Sequence, residues 1–234
     1  MAIVIDVGNS AVKVARATVA GIGEVTRLPT AGGPDPVALA RLLAGDGGPV
    51  GLVSVVPAWT EAIRRAAGGR RLLVATHETV PLPVRLPSPS TVGSDRLLGA
   101  WAARELVGAP CVVIDVGTAT TIDAVDAEGR FAGGAILPGP ALAVRSLASG
   151  TALLPSVPLE PPDRAIGRDT VEAIGAGVML GHREAVVGLV ARMADELGAS
   201  PGVVLTGGDA AVLGSPNWSP GPSPGCCSRA WARW

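Results

Sequence analysis

A chain of 234 residues can form one large domain or two modest ones. The formal net charge is −1 and only 17% of residues are charged, so no basic excess points to nucleic acid and no acidic tail to a solvating role. Apolar residues make up 48% and the mean hydropathy is +0.43, ample for a core, yet no uninterrupted apolar stretch reaches the roughly 18 residues of a membrane span.

The first element in chain order is a β-branched run at Ile3–Val7, read as a buried strand. Asp6 breaks any apolar leader, so no signal peptide is expected. Ala11–Thr18 reads as its antiparallel partner, with Gly8 and Asn9 in the turn. Gly23–Leu28 is expected to be a third strand. Asp35–Leu43 is expected to be a helix with Asp35 near its start. Val50–Val55 reads as a buried strand closed by Pro57, and Thr60–Ala67 as a helix ended by Gly68 and Gly69. Arg71–Ala75 and Thr79–Val84 are read as further strands. Leu86–Thr91 is a Pro/Ser loop leading into Gly93-Ser94-Asp95-Arg96 and a helix to about Val107.

Gly108-Ala109-Pro110 is a natural seam, after which the pattern restarts. Strands are expected at Cys111–Val116, Thr120–Val125 and Arg130–Ile136. A helix follows from Pro138-Gly139-Pro140 to about Ala148, then a Pro-rich loop over Leu154–Pro162. Thr170–Leu197 carries helical periodicity, and Val203–Leu205 is a last buried strand before Thr206-Gly207-Gly208. From Leu213 a Pro/Gly/Ser run without periodicity begins, expected to be poorly ordered. This gives an N-terminal domain over 1–109, a C-terminal domain over 110–212 and an atypical tail over 213–234.

The pentapeptide VIDVG occurs at Val4–Gly8 and again at Val113–Gly117. Each copy reads as a strand ending in one carboxylate, a tight glycine turn and hydroxyl residues. Two such edges suggest two similar domains facing each other across a nucleotide. In the first cluster Gly8 lets backbone approach phosphate oxygens. Asn9 and Ser10 can donate hydrogen bonds. Asp6 can hold Mg²⁺ through water, and Lys13 supplies a compact positive charge. Alone, the cluster is equally an ordinary hairpin with a polar turn. Asp115, Gly117, Thr118, Thr120 and Thr121 form the second cluster.

Thr206-Gly207-Gly208 offers bare backbone to a base or ribose, or simply caps a helix. Gly133-Gly134 allows close approach or serves as a turn. Asp95 at a helix start is a cap by one reading, and a general base beside the anion-binding Arg96 by the other. His77 and His182 lack partners at ligand spacing. Cys111, Cys226 and Cys227 show no metal-ligand spacing and fit a reducing cytoplasm.

Six segments taken in order resemble one family: DVGNS (Asp6–Ser10) with Lys13, GSDR (Gly93–Arg96), DVGTATT (Asp115–Thr121), GGAILPG (Gly133–Gly139), IGRDT (Ile166–Thr170) and TGG (Thr206–Gly208). The chain resembles the type III pantothenate kinases of the actin–hexokinase–Hsp70-like ATPase superfamily, from residue 1 to about 212. The resemblance implies two ribonuclease H-like α/β domains, each a mixed sheet flanked by helices, with the site in the cleft between them. It implies phosphorylation of the pantothenate 4′-hydroxyl by Mg·ATP with K⁺ or NH₄⁺, in a homodimer, while the cysteines, charge and hydropathy lead to the expectation of a cytoplasmic chain without nucleic-acid or membrane partners.

Carried over by position, Asp6, Val7, Gly8, Asn9, Ser10, Ala11, Val12 and Lys13 look like the ATP phosphate loop, and Thr118 like a further ATP contact. Asp95 looks like the proton acceptor, and Asp115 like the monovalent-cation ligand. Gly93, Ser94, Asp95, Arg96 and Thr170 look like pantothenate contacts. Leu86 falls where the family commonly has Tyr, so it offers apolar contact without a hydroxyl. The alternatives are a non-catalytic ATP-binding accessory factor for transcription and a kinase inactivated by its altered C-terminus.

Overall fold

The computed structural model describes residues 1–45 and 47–213. The first half builds strands β1 (Ala2–Val7), β2 (Ala11–Thr18), β3 (Gly21–Ile22), β4 (Thr26–Pro29), β5 (Val50–Ser54) and β6 (Leu72–Val74) into one sheet. The second half builds β7 (Cys111–Val116), β8 (Ala119–Val125), β9 (Phe131–Pro138) and β10 (Gly202–Thr206) into another. In each sheet the VIDVG strand is central. β1 has β2 antiparallel on one side and β5 parallel on the other; β7 has β8 antiparallel and β10 parallel. Each VIDVG strand is therefore covered on both edges, and its Val and Ile side chains are buried.

Local sequence sets the helices around these sheets. In α1 (Pro36–Leu42), the Asp35 carboxylate accepts from Val37 N–H at 2.9 Å and Pro36 fills the first turn. In α2 (Pro57–Ala67), Trp59, Ile63 and Ala67 recur at helical spacing and are buried, Trp59 and Ile63 in one cluster with Ile5, Leu52 and Val12. The helix α3 (Ser94–Val107) is buried throughout Leu97–Ala103. It packs in one cluster with Val4 and Val53 of the first sheet and Cys111, Val113 and Val204 of the second. Gly99, Ala100, Ala102 and Ala103 keep its surface small, so both sheets approach closely. Complete burial of Leu97 and of Leu98 contributes about 1.5–3 kcal/mol each.

The helix α4 is Pro140–Gly150. Residues Thr170–Leu197 are helical without a break, as α5 (Thr170–Gly175), a π-helical turn (Ala176–Leu180) and α6 (Gly181–Leu197). This segment is long and apolar enough to cross a membrane. Val186 and Val190 are nonetheless buried against Ile114 and Ile122 of the second sheet, as in a core helix.

Several expected elements differ. Gly23–Leu28 is replaced by two short strands, β3 and β4, both paired with β2. Pro57 opens α2 at its first turn rather than only closing β5. Thr79–Val84 is no strand: Pro81 and Pro83 have no N–H to give a ladder. Its one bridge joins Val84 to Phe131, and Phe131 N–H donates to Pro83 O at 2.8 Å. Leu213, the first residue of the expected tail, is buried in the second sheet's core. Residues 214–234, with Cys226 and Cys227, lie outside the described residues.

Candidate active site

The two VIDVG strands deliver their glycine turns to one cavity of about 260 Å³. From the first sheet it is lined by Asp6, Gly8, Asn9, Ser10, Ala11 and Lys13, and from the second by Asp115, Gly117, Thr118 and Thr121. The start of α3 adds Asp95 and Arg96, β8 adds Asp123, and the end of β10 adds Thr206 and Gly208. Pairing explains the neighbours. Lys13 lies directly across from Asp6 in the β1–β2 ladder, and its Nζ donates to Asp6 Oδ2 at 2.9 Å. Asp115 is flanked by Thr121 on β8 and Thr206 on β10. The two turns meet where Ser10 Oγ and Thr118 Oγ1 lie 2.7 Å apart.

Glycine matters here because backbone is already close. A Cβ on Gly93 would sit 2.5 Å from Asp95 Oδ1, so Gly93 leaves room for that carboxylate. Arg96 N–H donates to the same Oδ1 at 2.9 Å. A Cβ on Gly139 would sit 1.9 Å from Gly117 O, while Gly139 N–H donates to Thr118 O at 3.0 Å. The start of α4 is thereby pressed onto the second glycine turn.

Of the four cavity carboxylates only Asp123 is buried; Asp6 and Asp115 are half-buried and Asp95 is exposed, yet three of them are disfavoured as charges. Burial pushes Asp95 above the usual carboxylate range, with the Arg96 N–H opposing and the Asp6 charge adding to the rise. Burial pushes Asp115 up to about 6, Lys13 opposing and Asp6 and Asp95 adding. Asp123 is also pushed up to about 6 by burial, against hydrogen bonds and charge from Arg96 and the effect of the nearby Thr121 hydroxyl. Asp123 is 1% exposed and takes Arg96 Nε at 3.0 Å and Nη2 at 2.5 Å on Oδ1. The Arg96 guanidinium also lies 5.6 Å from the Phe131 ring centre.

Not every expected site residue reaches this cavity. Val7 and Val12 point into the first sheet's core. Gly93 and Ser94 sit at the start of α3 outside the lining, with Ser94 Oγ donating to Ser54 O at 3.5 Å. Thr170 lines a second cavity, of about 790 Å³, with Leu137, Ser146, Leu154 and His182. His182 is buried there and bonded to Thr120 Oγ1 at 3.1 Å, and burial lowers its pKa. Leu86 packs with the α3 core cluster, near Gly133. Gly207 is filled rather than open: its φ is +107° and a Cβ would meet Val116 O at 2.2 Å. Among the described residues no group of three or more acidic, His or Cys side chains is arranged to hold a metal ion unaided.

A profile of the type III pantothenate kinases matches residues 2–192. The chain belongs to the type III pantothenate kinase family. Its relatives in that family include the type III pantothenate kinases of Thermomicrobium roseum, 41% identical over 168 residues, and Moorella thermoacetica, 41% identical over 167 residues. Each alignment covers 70% of this chain, which spans just under two thirds of those relatives, 65% and 66% of their length.

Similar solved structures include a Baf family transcriptional activator from Campylobacter jejuni, with a TM-score of 0.64 at 18% identity over 99% of this chain and 96% of that one. Another is the ethanolamine utilization protein EutJ from Carboxydothermus hydrogenoformans, with a TM-score of 0.52 at 14% identity over 98% and 89%. At that identity they speak for the fold alone, the two-sheet actin-like ATPase architecture expected for this type III pantothenate kinase family member. Sequence reasoning missed Asp123. Its signal was present, since it follows Thr121 by two positions and so shares that residue's face of β8.

Proposed function

We propose that this chain transfers the γ-phosphoryl group of Mg·ATP to the 4′-hydroxyl of pantothenate, the first step of coenzyme A synthesis. Membership of the type III pantothenate kinase family supports the reaction. The observation that carries it to these residues is the shared cavity: both acid–glycine turns and the Asp95-Arg96 pair line one space.

The division of labour follows from chemistry. Phosphoryl transfer has a loose transition state, so positioning and charge neutralisation dominate. Gly8 to Ala11 and Thr118 offer backbone and hydroxyl donors to the phosphates, and Lys13, bonded to Asp6, a cation. Asp95 takes the hydroxyl proton as the new O–P bond forms and ADP leaves. A carboxylate whose pKa is raised by burial is better matched to that task than an exposed one. Arg96 faces the substrate's carboxylate.

The donor set fits cations. Asp6, Asp95, Asp115 and Asp123 face one cavity against Lys13 and Arg96, and burial already strains three of the four carboxylates. Asp6 would hold Mg²⁺ through water, and Asp115 K⁺ or NH₄⁺. With no three-ligand cluster among the described residues, Mg²⁺ is left to phosphates, waters and one or two carboxylates, its usual preference. When bound, these ions neutralise charge on the phosphates.

The same reading includes a domain boundary near residue 109, a cytoplasmic homodimer, and no nucleic-acid or membrane partner. The net charge of −1 supports the lack of nucleic acid. Thr170 is left out of this chain's own substrate contacts because it lines the second cavity.

The test is purified protein with Mg·ATP, pantothenate and either K⁺ or Na⁺. Phosphopantothenate formed faster with K⁺ is the expected product. A folded, dimeric protein that makes none under those conditions overturns the proposal.

A further inference from the structure

The buried Arg96–Asp123 pair has no place in the transfer step itself, yet it lies on the wall of the same cavity. Asp123 sits on β8 and Arg96 in the first turn of α3, 27 positions apart. Both donors on one edge of the guanidinium, Nε and Nη2, go to the single oxygen Oδ1. The ring of Phe131 lies 5.6 Å from the guanidinium carbon. Among the described residues no acceptor is engaged by Nη1. Arg96 lines the cavity, so its guanidinium is held along one edge by Asp123 in the wall of the space a substrate would occupy.

Asp123 is itself locked. The nearby Thr121 hydroxyl favours its ionised form, and Gly134 lies opposite it in the β8–β9 ladder. A Cβ on Gly134 would sit 2.6 Å from Asp123 Oδ1 and 2.1 Å from Ile122 O. The carboxylate thus occupies the space that any other residue at position 134 would need. A buried ion pair is a poor source of net stability, since apolar residues of like volume often do as well or better. A fixed guanidinium, in contrast, loses little side-chain freedom when an anion docks.

We infer that Asp123 is the positioning residue for Arg96, fixing its guanidinium to receive the carboxylate of the acceptor substrate. This rests on the kinase reading above. Asp123 touches neither substrate nor phosphate in this scheme. It acts through Arg96, in the way second-layer carboxylates orient the groups that bind.

The experiment is steady-state kinetics on the full chain, with melting curves, for wild type, Asp123→Asn, Arg96→Ala and the double variant. Asp123→Asn is expected to raise the KM for pantothenate about tenfold, the size of coupling met between directly bonded residues. That rise should exceed any fall in kcat, and the KM for ATP should stay within about twofold. On the Arg96→Ala background the same substitution should add nothing, because the group it acts through is gone.

Asp123→Glu keeps the charge but displaces the carboxylate, so it too should raise the pantothenate KM; it serves where the Asn variant does not fold. A lower melting temperature with unchanged pantothenate KM overturns the inference and leaves only a structural tie. So do equal rises in both KM values, or effects that multiply on the Arg96→Ala background. A wild type that neither turns over nor binds pantothenate removes the kinase reading and this one with it. An active wild type with indistinguishable Asp123 variants removes this one alone.

Discussion

Ser10 Oγ and Thr118 Oγ1 lie 2.7 Å apart, although 108 positions separate the two residues in sequence. Each stands just past the glycine of its VIDVG copy, one on the β1–β2 turn and one on the β7–β8 turn. The contact therefore ties the two sheets together at the mouth of the acidic cavity.

A solvent-exposed hydroxyl pair contributes about 0.5–1.5 kcal/mol at most. In the proposed reaction both hydroxyls face the triphosphate instead, where a charged acceptor makes each worth more. Ser10→Ala and Thr118→Val are each expected to cost under about 1 kcal/mol in chemical denaturation, yet raise the KM for ATP about three- to tenfold. Steady-state kinetics with ATP varied at saturating pantothenate checks this. An unchanged ATP KM alongside a raised pantothenate KM would assign these turns to the wrong substrate.

Asp95→Asn separates chemistry from binding. Asp95 lines the cavity in the first turn of α3 on a residue that is exposed overall, and desolvation of the carboxylate disfavours its charge, so the amide removes a strained charge while keeping the shape. Loss of a first-turn acid from a helix costs about 0.3–1 kcal/mol, offset by relief from burial. Melting should thus change little, while kcat falls about 10²- to 10⁴-fold, the usual scale of general-base help. Retention of more than a tenth of wild-type kcat would rule out Asp95 as the proton acceptor.

Much of this site was legible in the sequence because its parts are local. A strand ending in Asp-Val-Gly carries its own geometry, and Gly93-Ser94-Asp95-Arg96 carries a helix start. The pair Arg96–Asp123 was not legible, since only the packing of α3 between the sheets brings β8 to it. Gly133-Gly134 was read as room for a ligand or a turn; the structure fills the space at Gly134 with Ile122 O and Asp123 Oδ1. Thr79–Val84 looked like a strand because its apolar alternation hid the lack of N–H donors at Pro81 and Pro83. Sequence pattern reports which faces are apolar, not which backbone another strand will press against.

Gly134→Ala follows from that close approach. The added methyl meets backbone, not the flexible end of a side chain, so β9 must move away from β8. Overpacking of this kind costs about 1–3 kcal/mol. Thermal unfolding should report it as a lower midpoint, and the pantothenate KM should rise as Asp123 shifts. A midpoint within error of wild type would mean that the β8–β9 ladder gives way without cost.

The buried carboxylates also set opposite pH trends for stability and activity. Asp115 and Asp123 titrate at about 6 in the folded chain, against an ordinary 3.8. Between those values the folded state holds more protons than the unfolded one, so stability falls as pH rises through this window. The ligand-free protein is expected to melt higher at pH 5 than at pH 7 as far as these two groups decide it, and Asp115→Asn should flatten the difference. Activity runs the other way. Protonating Asp115 removes the charge proposed to hold the monovalent cation, so kcat should drop as pH falls through about 6. Saturating Mg·ATP and K⁺ should shift that midpoint to lower pH, because cations favour the ionised carboxylate. Melting and kinetics on the same samples from pH 5 to 8 test both trends together. A melting temperature that rises steadily with pH over that range, in wild type and Asp115→Asn alike, would mean that burial does not govern these carboxylates.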